Sequence, residues 1–160
     1  MSLERAKAYL AECGRDGDVL EFDVSSATVE LAAQAVGCAP ERIAKTLSFT
    51  VGDRVALVVC AGDARVANPK FKECFGCKAK MLSAEEAEER IDHAVGGVCP
   101  FGVKDGCDVY FDESLRWFDT VYPACGSSNS AIALTPDELA QVVPEGVWVD
   151  VCKLPTEEQS

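Results

Sequence analysis

Apolar residues recur with two periods along this chain, and the switches between them mark its elements. Residues 3–13 set Leu3, Ala6 and Leu10 at helical spacing and stop at Gly14, which predicts a helix. "DVLEFDV" at 18–24 alternates and predicts a short strand. "SSATVELAAQAVG" at 25–37 supplies Ser and Thr as caps, apolar positions three and four apart, and a stop at Gly37. "KTLSFTV" at 45–51 and "RVALVVCAG" at 54–62 flank Gly52-Asp53, the pattern of a hairpin.

The second half is built from shorter pieces. "NPKFKECFG" at 68–76 predicts a helix begun at Pro69, and "CKAKML" at 77–82 a short strand. "SAEEAEERI" at 83–91 predicts a helix with Ser83 as N-cap and Glu86 completing a capping box. "CDVYFD" at 107–112 predicts a strand, and "ESLRWF" after it a turn of helix. "DTVYPAC" and "SAIALT" read as strands around the tight connection "GSSN". "TPDEL" at 135–139 starts a helix by the Thr-Pro rule, and "GVWVDVC" at 146–152 closes as one strand. The pattern gives about seven strands and four or five helices without a strict strand-helix-strand rhythm. The expected class is α+β, a mixed sheet surrounded by helices. No linker or repeat divides the chain, so one domain over residues 1–152 is expected, with a polar tail at 153–160.

Composition narrows the setting. Of the 160 residues, 48% are hydrophobic, which suits a globular domain. The strongest apolar run, residues 55–61, is far shorter than the roughly 20 residues of a membrane span. The first residues, "MSLERAKAYLAECG", carry charge early and show no apolar signal core, so a soluble, cytoplasmic protein with no membrane partner is expected. Nine scattered cysteines, several inside apolar strand-like runs, then read as reduced thiols rather than a disulfide framework.

The net charge of −12 argues against general nucleic-acid binding, and no DNA partner is expected. Its distribution matters more than its sum. Between Gly62 and Lys80, Arg65, Lys70, Lys72, Lys78 and Lys80 face only Asp63 and Glu73. That island is either a solvated face or a dock for a phosphate chain.

Few residues could carry chemistry. Cys74 and Cys77 form a CxxC, but no second pair stands at zinc spacing and Cys74 ends a predicted helix, so no metal and no cofactor are expected. His93 is the single histidine, a rim residue at most. "HAVGGVCPFG" at 93–102 strips a loop to bare backbone at Gly96 and Gly97. Either the chain only turns there, or something approaches its peptide groups. Lys45, read as a mostly exposed side chain at the mouth of a strand, is either solvated or holds an anionic group.

Taken in order, these pieces resemble the YbaK/ProX family, the aminoacyl-tRNA editing domain also found inserted in some bacterial prolyl-tRNA synthetases. A helix ends in "AVG" and leads to "ERIAKTLSF"; "VVCAGDARV" precedes the basic helix; "VGGVCPFG" is similar to the family's Gly-x-x-x-Pro loop; "VYFDESL", a glycine turn and "IALTPDEL" follow. The resemblance spans about residues 19–139. It implies a barrel-like mixed sheet and hydrolysis of the ester joining a wrong amino acid to the 3′ end of a transfer RNA. It also implies a catalytic set of Lys45, Gly96, Gly97, Val98, Cys99 and Pro100. Phe101, Gly102, Gly126, Ser127, Ser128, Lys70 and Lys72 would contact substrate. In that scheme Lys45 pairs with a terminal phosphate or orients the ribose. Peptide N–H groups of the glycine loop meet the oxyanion, and water or the substrate's own side chain attacks. The partners implied are the tRNA acceptor end and an aminoacyl-tRNA synthetase. Members that deacylate Cys-tRNA(Pro) carry an acidic residue where this chain has Ala131, so cysteine and alanine both stay open as the edited residue.

Overall fold

A computed structural model describes residues 2–26, 28–90, 99–103, 106–127 and 129–153. Gly96, Gly97, Val98, His93, Ser128 and the tail from residue 154 lie outside that set. Helix α1 (Ser2–Glu12) buries Ala6 and Leu10. After the short strand β1 (Val19–Glu21), α2 (Val29–Val36) starts on the Thr28 hydroxyl, which accepts from the Leu31 N–H at 3.1 Å, and ends on left-handed Gly37. The hairpin forms as the pattern predicts, with β2 (Ile43–Val51) and β3 (Arg54–Ala61) paired antiparallel from Ala44↔Ala61 to Val51↔Arg54.

Strand β4 (Arg65–Val66) leads into α3 (Asn68–Phe75), and α4 (Ala84–Arg90) carries the reciprocal Ser83 and Glu86 capping bonds. β5 (Cys107–Asp112), β6 (Tyr122–Pro123), β7 (Ser130–Ile132), α5 (Pro136–Val142), β8 (Val147–Val149) and β9 (Cys152–Lys153) follow. α5 is opened by a second capping box, between Thr135 and Glu138.

The main sheet runs β6-β2-β3-β5-β8, mixed in sense: β2 and β3 are antiparallel, and the other three pairings are parallel. It curls into half a barrel with the helices around it, the α+β architecture the sequence predicts. β1 pairs with β7, and β4 with β9, as two small flanking ribbons. Side chains alternate across β3, so Val55, Leu57 and Val59 pack in the larger core with α1 and Phe101. Val58 and Cys60 pack on the other face with Phe71 of α3.

Two sequence expectations change. "CKAKML" forms no strand; only Met81 makes a bridge, to Phe49. "GVWVDVC" divides into β8 and β9 because the buried carboxylate of Asp112 accepts the N–H groups of Val151 (2.9 Å) and Cys152 (3.1 Å), taking that backbone out of the main ladder.

Candidate active site

The outer edge of β2 is interrupted. Toward β3 the strand is paired along its length, but on its other side β6 reaches only Ile43 and Ala44. Pairing resumes at the Met81 bridge, where Leu82 N–H donates to the Ser48 carbonyl (3.1 Å) and Thr50 N–H to the Lys80 carbonyl (2.9 Å). Between these flanks, Lys45, Thr46 and Leu47 pair with no strand on that side among the described residues. A cavity of about 330 Å³ opens at the gap. It is lined by residues 43–48 of β2, by Val29 and Ala32 of α2, and by Ser130 and Ala131 of β7, with Met81 and Leu82 on the opposite rim. Because neighbouring residues of a strand point to opposite faces, a cavity lined by both Lys45 and Thr46 wraps the strand edge.

Lys45 is held rather than solvated. Its ammonium donates to the carbonyls of Ala64 (2.5 Å) and Gly62 (3.2 Å), and the side chain is half-buried. This corrects the expectation of a mostly exposed lysine. The turn after β3 makes the cradle. A Cβ at Gly62 would run into the Pro40 carbonyl and crowd Val29, so only glycine lets that chain pass close enough to present its carbonyl to Lys45. An ammonium has three N–H donors. Two are spent on the protein, which leaves one for a ligand.

Two hydroxyls add to the site. Ser26 Oγ and Thr46 Oγ1 are buried without a hydrogen-bond partner, and both residues line the cavity. Leaving such a group unmatched costs about 1–3 kcal/mol. Three other hydroxyls on the wall are engaged: Thr28 and Ser83 cap helices, and Ser130 accepts from the Cys125 N–H and from Ser127. No carboxylate lines the cavity among the described residues. Sequence reasoning passed over Ser26 and Thr46. The signal available was Thr46 and Ser48, polar residues alternating along the face of a strand that should bury.

The remaining candidates scatter. Gly96, Gly97, Val98 and Ser128 lie outside the described residues. Cys99, Pro100 and Phe101 are buried, Cys99 and Phe101 within the larger core, and none of the three lines the cavity. Burial pushes the Cys99 thiol up to about 12, so it stays protonated near neutrality and is no nucleophile. Gly102 has φ +65°, and a Cβ there would meet Arg5 Cγ at 2.9 Å and its carbonyl at 3.0 Å. Packing on α1 thus accounts for this glycine. Gly126 (φ +89°) and Ser127 shape the turn whose hydrogen bonds fix Ser130 on the cavity wall. Lys70 bonds to the Asp150 carboxylate (3.2 Å) and the Cys152 carbonyl (3.0 Å), whereas Lys72 is exposed. Cys74 and Cys77 straddle left-handed Gly76, and no group of three metal-ligating side chains occurs among the described residues. None of their helices is long and apolar enough to cross a membrane.

Comparison with known proteins fits this geometry. The chain is 52% identical over 154 residues to the uncharacterized protein YwhH of Bacillus subtilis, covering 96% of this chain and 98% of that one. It is 31% identical over 134 residues to a proline–tRNA ligase of Shouchella clausii, covering 81% of this chain but only 23% of the ligase. The crystal structure of a candidate trans-editing enzyme for prolyl-tRNA synthetase superposes with a TM-score of 0.84 at 29% identity, over 95% of this chain and 97% of the other. The aminoacyl-tRNA editing domain matches residues 23–142, which contain the whole described lining of the cavity, and the chain belongs to that family.

Proposed function

We propose that this protein is a trans-editing hydrolase that deacylates mischarged aminoacyl-tRNA at the β2 cavity, with alanyl- or cysteinyl-tRNA(Pro) as substrate. The observation that carries the reading is Lys45, a half-buried cation with one donor left, beside unpartnered hydroxyls in a cavity of a chain from an editing family. A partly desolvated ammonium interacts strongly with an anion and suits the terminal phosphate of an acceptor end, or a ribose hydroxyl. Action in trans is supported by the likeness to the candidate trans-editing enzyme over nearly the whole of both chains. A cytoplasmic setting, the tRNA acceptor end as partner and contact with a synthetase follow from the same reading.

The chemistry needs little beyond positioning. Water adds to the ester carbonyl carbon, and the carbonyl oxygen becomes an oxyanion. As the intermediate collapses, the bond to the ribose oxygen breaks and the water's proton passes to that leaving oxygen. Free amino acid and a 3′-terminal hydroxyl result. The ester is activated, so fixing water and carbonyl together supplies much of the acceleration. Gly96 and Gly97 are proposed as oxyanion donors. An added Cβ at Gly96 or Gly97 would crowd the oxyanion away from its donors, and losing one such donor typically lowers the rate about 10²–10³-fold, so Gly96→Ala and Gly97→Ala should each show that loss.

Deacylation of a panel of mischarged tRNAs by the purified protein tests the reading. Multiple turnover on alanyl- or cysteinyl-tRNA(Pro), with correctly charged prolyl-tRNA spared, is expected. Binding to the acceptor end without hydrolysis would make the chain a non-catalytic tRNA-binding member of the family and overturn the proposal.

A further inference from the structure

The gap in β2 exposes a short, ordered set of peptide groups. In an antiparallel ladder, residues alternate in sending N–H and C=O toward one neighbour or the other. The Ser48 carbonyl and the Thr50 N–H both face away from β3, since they bond to Leu82 and Lys80. Ala44, four residues before Ser48, is paired with Pro123 of β6 on that same side. Thr46 lies midway, so its N–H and its C=O face the same way, and so does the N–H of Ser48. Among the described residues β6 pairing stops at Ala44, and no backbone partner reaches these three groups.

Their order along the edge is donor, acceptor, donor. In a parallel ladder a single residue opposite position i donates its N–H to the carbonyl of i−1 and accepts from the N–H of i+1. For a residue opposite Leu47 those groups are the Thr46 carbonyl and the Ser48 N–H. β6 already runs parallel to β2 and its pairing ends at Ala44, so a residue opposite Leu47 would take up the same parallel direction farther along the edge. An extended α-aminoacyl ester offers the matching pair, an ammonium donor and a carbonyl acceptor one residue apart. With no carboxylate on the described cavity wall, the ammonium needs a neutral oxygen, and a peptide carbonyl is a strong one.

We infer that the aminoacyl group docks as a single residue added to the sheet, its α-ammonium donating to the Thr46 carbonyl and its ester carbonyl accepting from the Ser48 N–H. This is strand addition reduced to its smallest unit. It rests on the editing reading and deepens it, because the substrate class becomes esters of α-amino acids with a free amino group, recognised through their main-chain atoms. The Ser48 N–H is then a donor to the carbonyl oxygen. The Thr46 and Ser26 hydroxyls remain to contact the rest of the ligand.

Two measurements test it. The first compares whichever of alanyl- and cysteinyl-tRNA(Pro) the protein hydrolyses with its des-amino counterpart, propionyl- or 3-mercaptopropionyl-tRNA(Pro), each rate divided by the uncatalysed rate of the same ester. A loss of at least about 10-fold is expected without the amino group, in line with a charge-assisted hydrogen bond. Equal normalised rates overturn the docking mode while leaving the editing reading intact. The second replaces residue 48 with the α-hydroxy acid of serine, which removes its N–H and weakens the Leu47 carbonyl as an acceptor. A rate loss of about 10²-fold with only a small fall in melting temperature is expected. The same exchange at Phe49, whose N–H belongs to the β2–β3 ladder and which does not line the cavity, should lower the melting temperature and leave the rate. Wild-type rates from the residue 48 variant, or equal rate losses at both positions, overturn the inference. Failure of the intact protein to deacylate any tRNA overturns the editing reading and this inference with it.

Discussion

β2 and β3 are paired over eight positions, yet they are built for different tasks. β3 reads "RVALVVCA" and is buried from Val55 to Ala61, with a paired strand on each side and a core on each face. β2 reads "IAKTLSFTV" and keeps lysine, threonine and serine in its middle, where no outer neighbour pairs with it among the described residues. Cohesion belongs to the strand with no unmet groups. Chemistry gathers on its neighbour, where among the described residues peptide groups and the Thr46 hydroxyl lack partners and Lys45 keeps one donor, within a framework too well packed to collapse onto them.

The largest effect that would sharpen this contrast is expected at Lys45. Lys45→Ala should lower the deacylation rate about 10²-fold or more, because a preorganised cation is removed from a partly desolvated site. It should also lower stability by about 1–3 kcal/mol, since the carbonyls of Gly62 and Ala64 lose their donor. Rate and chemical denaturation are measured on the same preparation. A variant that stays active, or that loses activity only in proportion to its unfolding, would break the assignment of function to β2.

Leu57→Ala examines the other strand. Leu57 is fully buried in the larger core, so truncation should cost about 2–5 kcal/mol. Below the new midpoint the folded fraction should deacylate at the parent rate. A large loss of rate in folded protein would show that β3 acts on the site as well as supporting it.

How far the sequence reveals this division depends on the range of the interactions involved. The helix starts at Thr28, Ser83 and Thr135 were legible, because a cap and its partner lie three residues apart. So was the β2–β3 hairpin, set by a two-residue turn with Gly52 at φ +61°. Lys45 was legible as a candidate but its burial was not, since the carbonyls that hold it lie 17 and 19 residues away. The break between β8 and β9 was hidden for the same reason: Asp112 reaches across about 40 positions to Val151 and Cys152. The gap beside Thr46 was the least accessible of all. It is defined by where β6 stops and where Met81 begins, and no local pattern encodes the place where two distant segments fail to meet.

A smaller expectation separates the silent thiols from the working residues. Burial raises the thiols of Cys99, Cys125 and Cys152, with a hydrogen bond to Cys60 the leading cause at Cys152. Below about pH 9, the ordinary thiol value, folded and unfolded chains are equally protonated at these sites and the thiols favour the fold fully. Above it the unfolded chain releases protons that the native state keeps, so stability should decline as pH rises. Denaturant midpoints at pH 8 and pH 10 measure this. Replacing Cys99 with alanine should flatten the slope, and an unchanged slope would show that this thiol is not sealed in the core.

The least effect is expected from Ser26→Ala. It removes a hydroxyl that has no partner among the described residues, so stability should hold or rise slightly, while the Michaelis constant for the edited tRNA rises a few-fold. An unchanged Michaelis constant would remove Ser26 from the binding surface.

The gap in β2 also bears on how the protein avoids sticking to other chains. A bare sheet edge is an invitation to pair, and long unpaired edges are where proteins aggregate or are captured by extended peptides. Here the edge is stopped at one end by Tyr122 and Pro123 and at the other by Met81, so among the described residues the free stretch is three residues long, from Lys45 to Leu47. A polypeptide strand lying there would run into a stop on both sides before forming a second pair of bonds. On the proposed docking mode a single residue enters where a strand cannot, so the edge would stay closed to neighbouring protein and open to an amino acid borne on a nucleic acid.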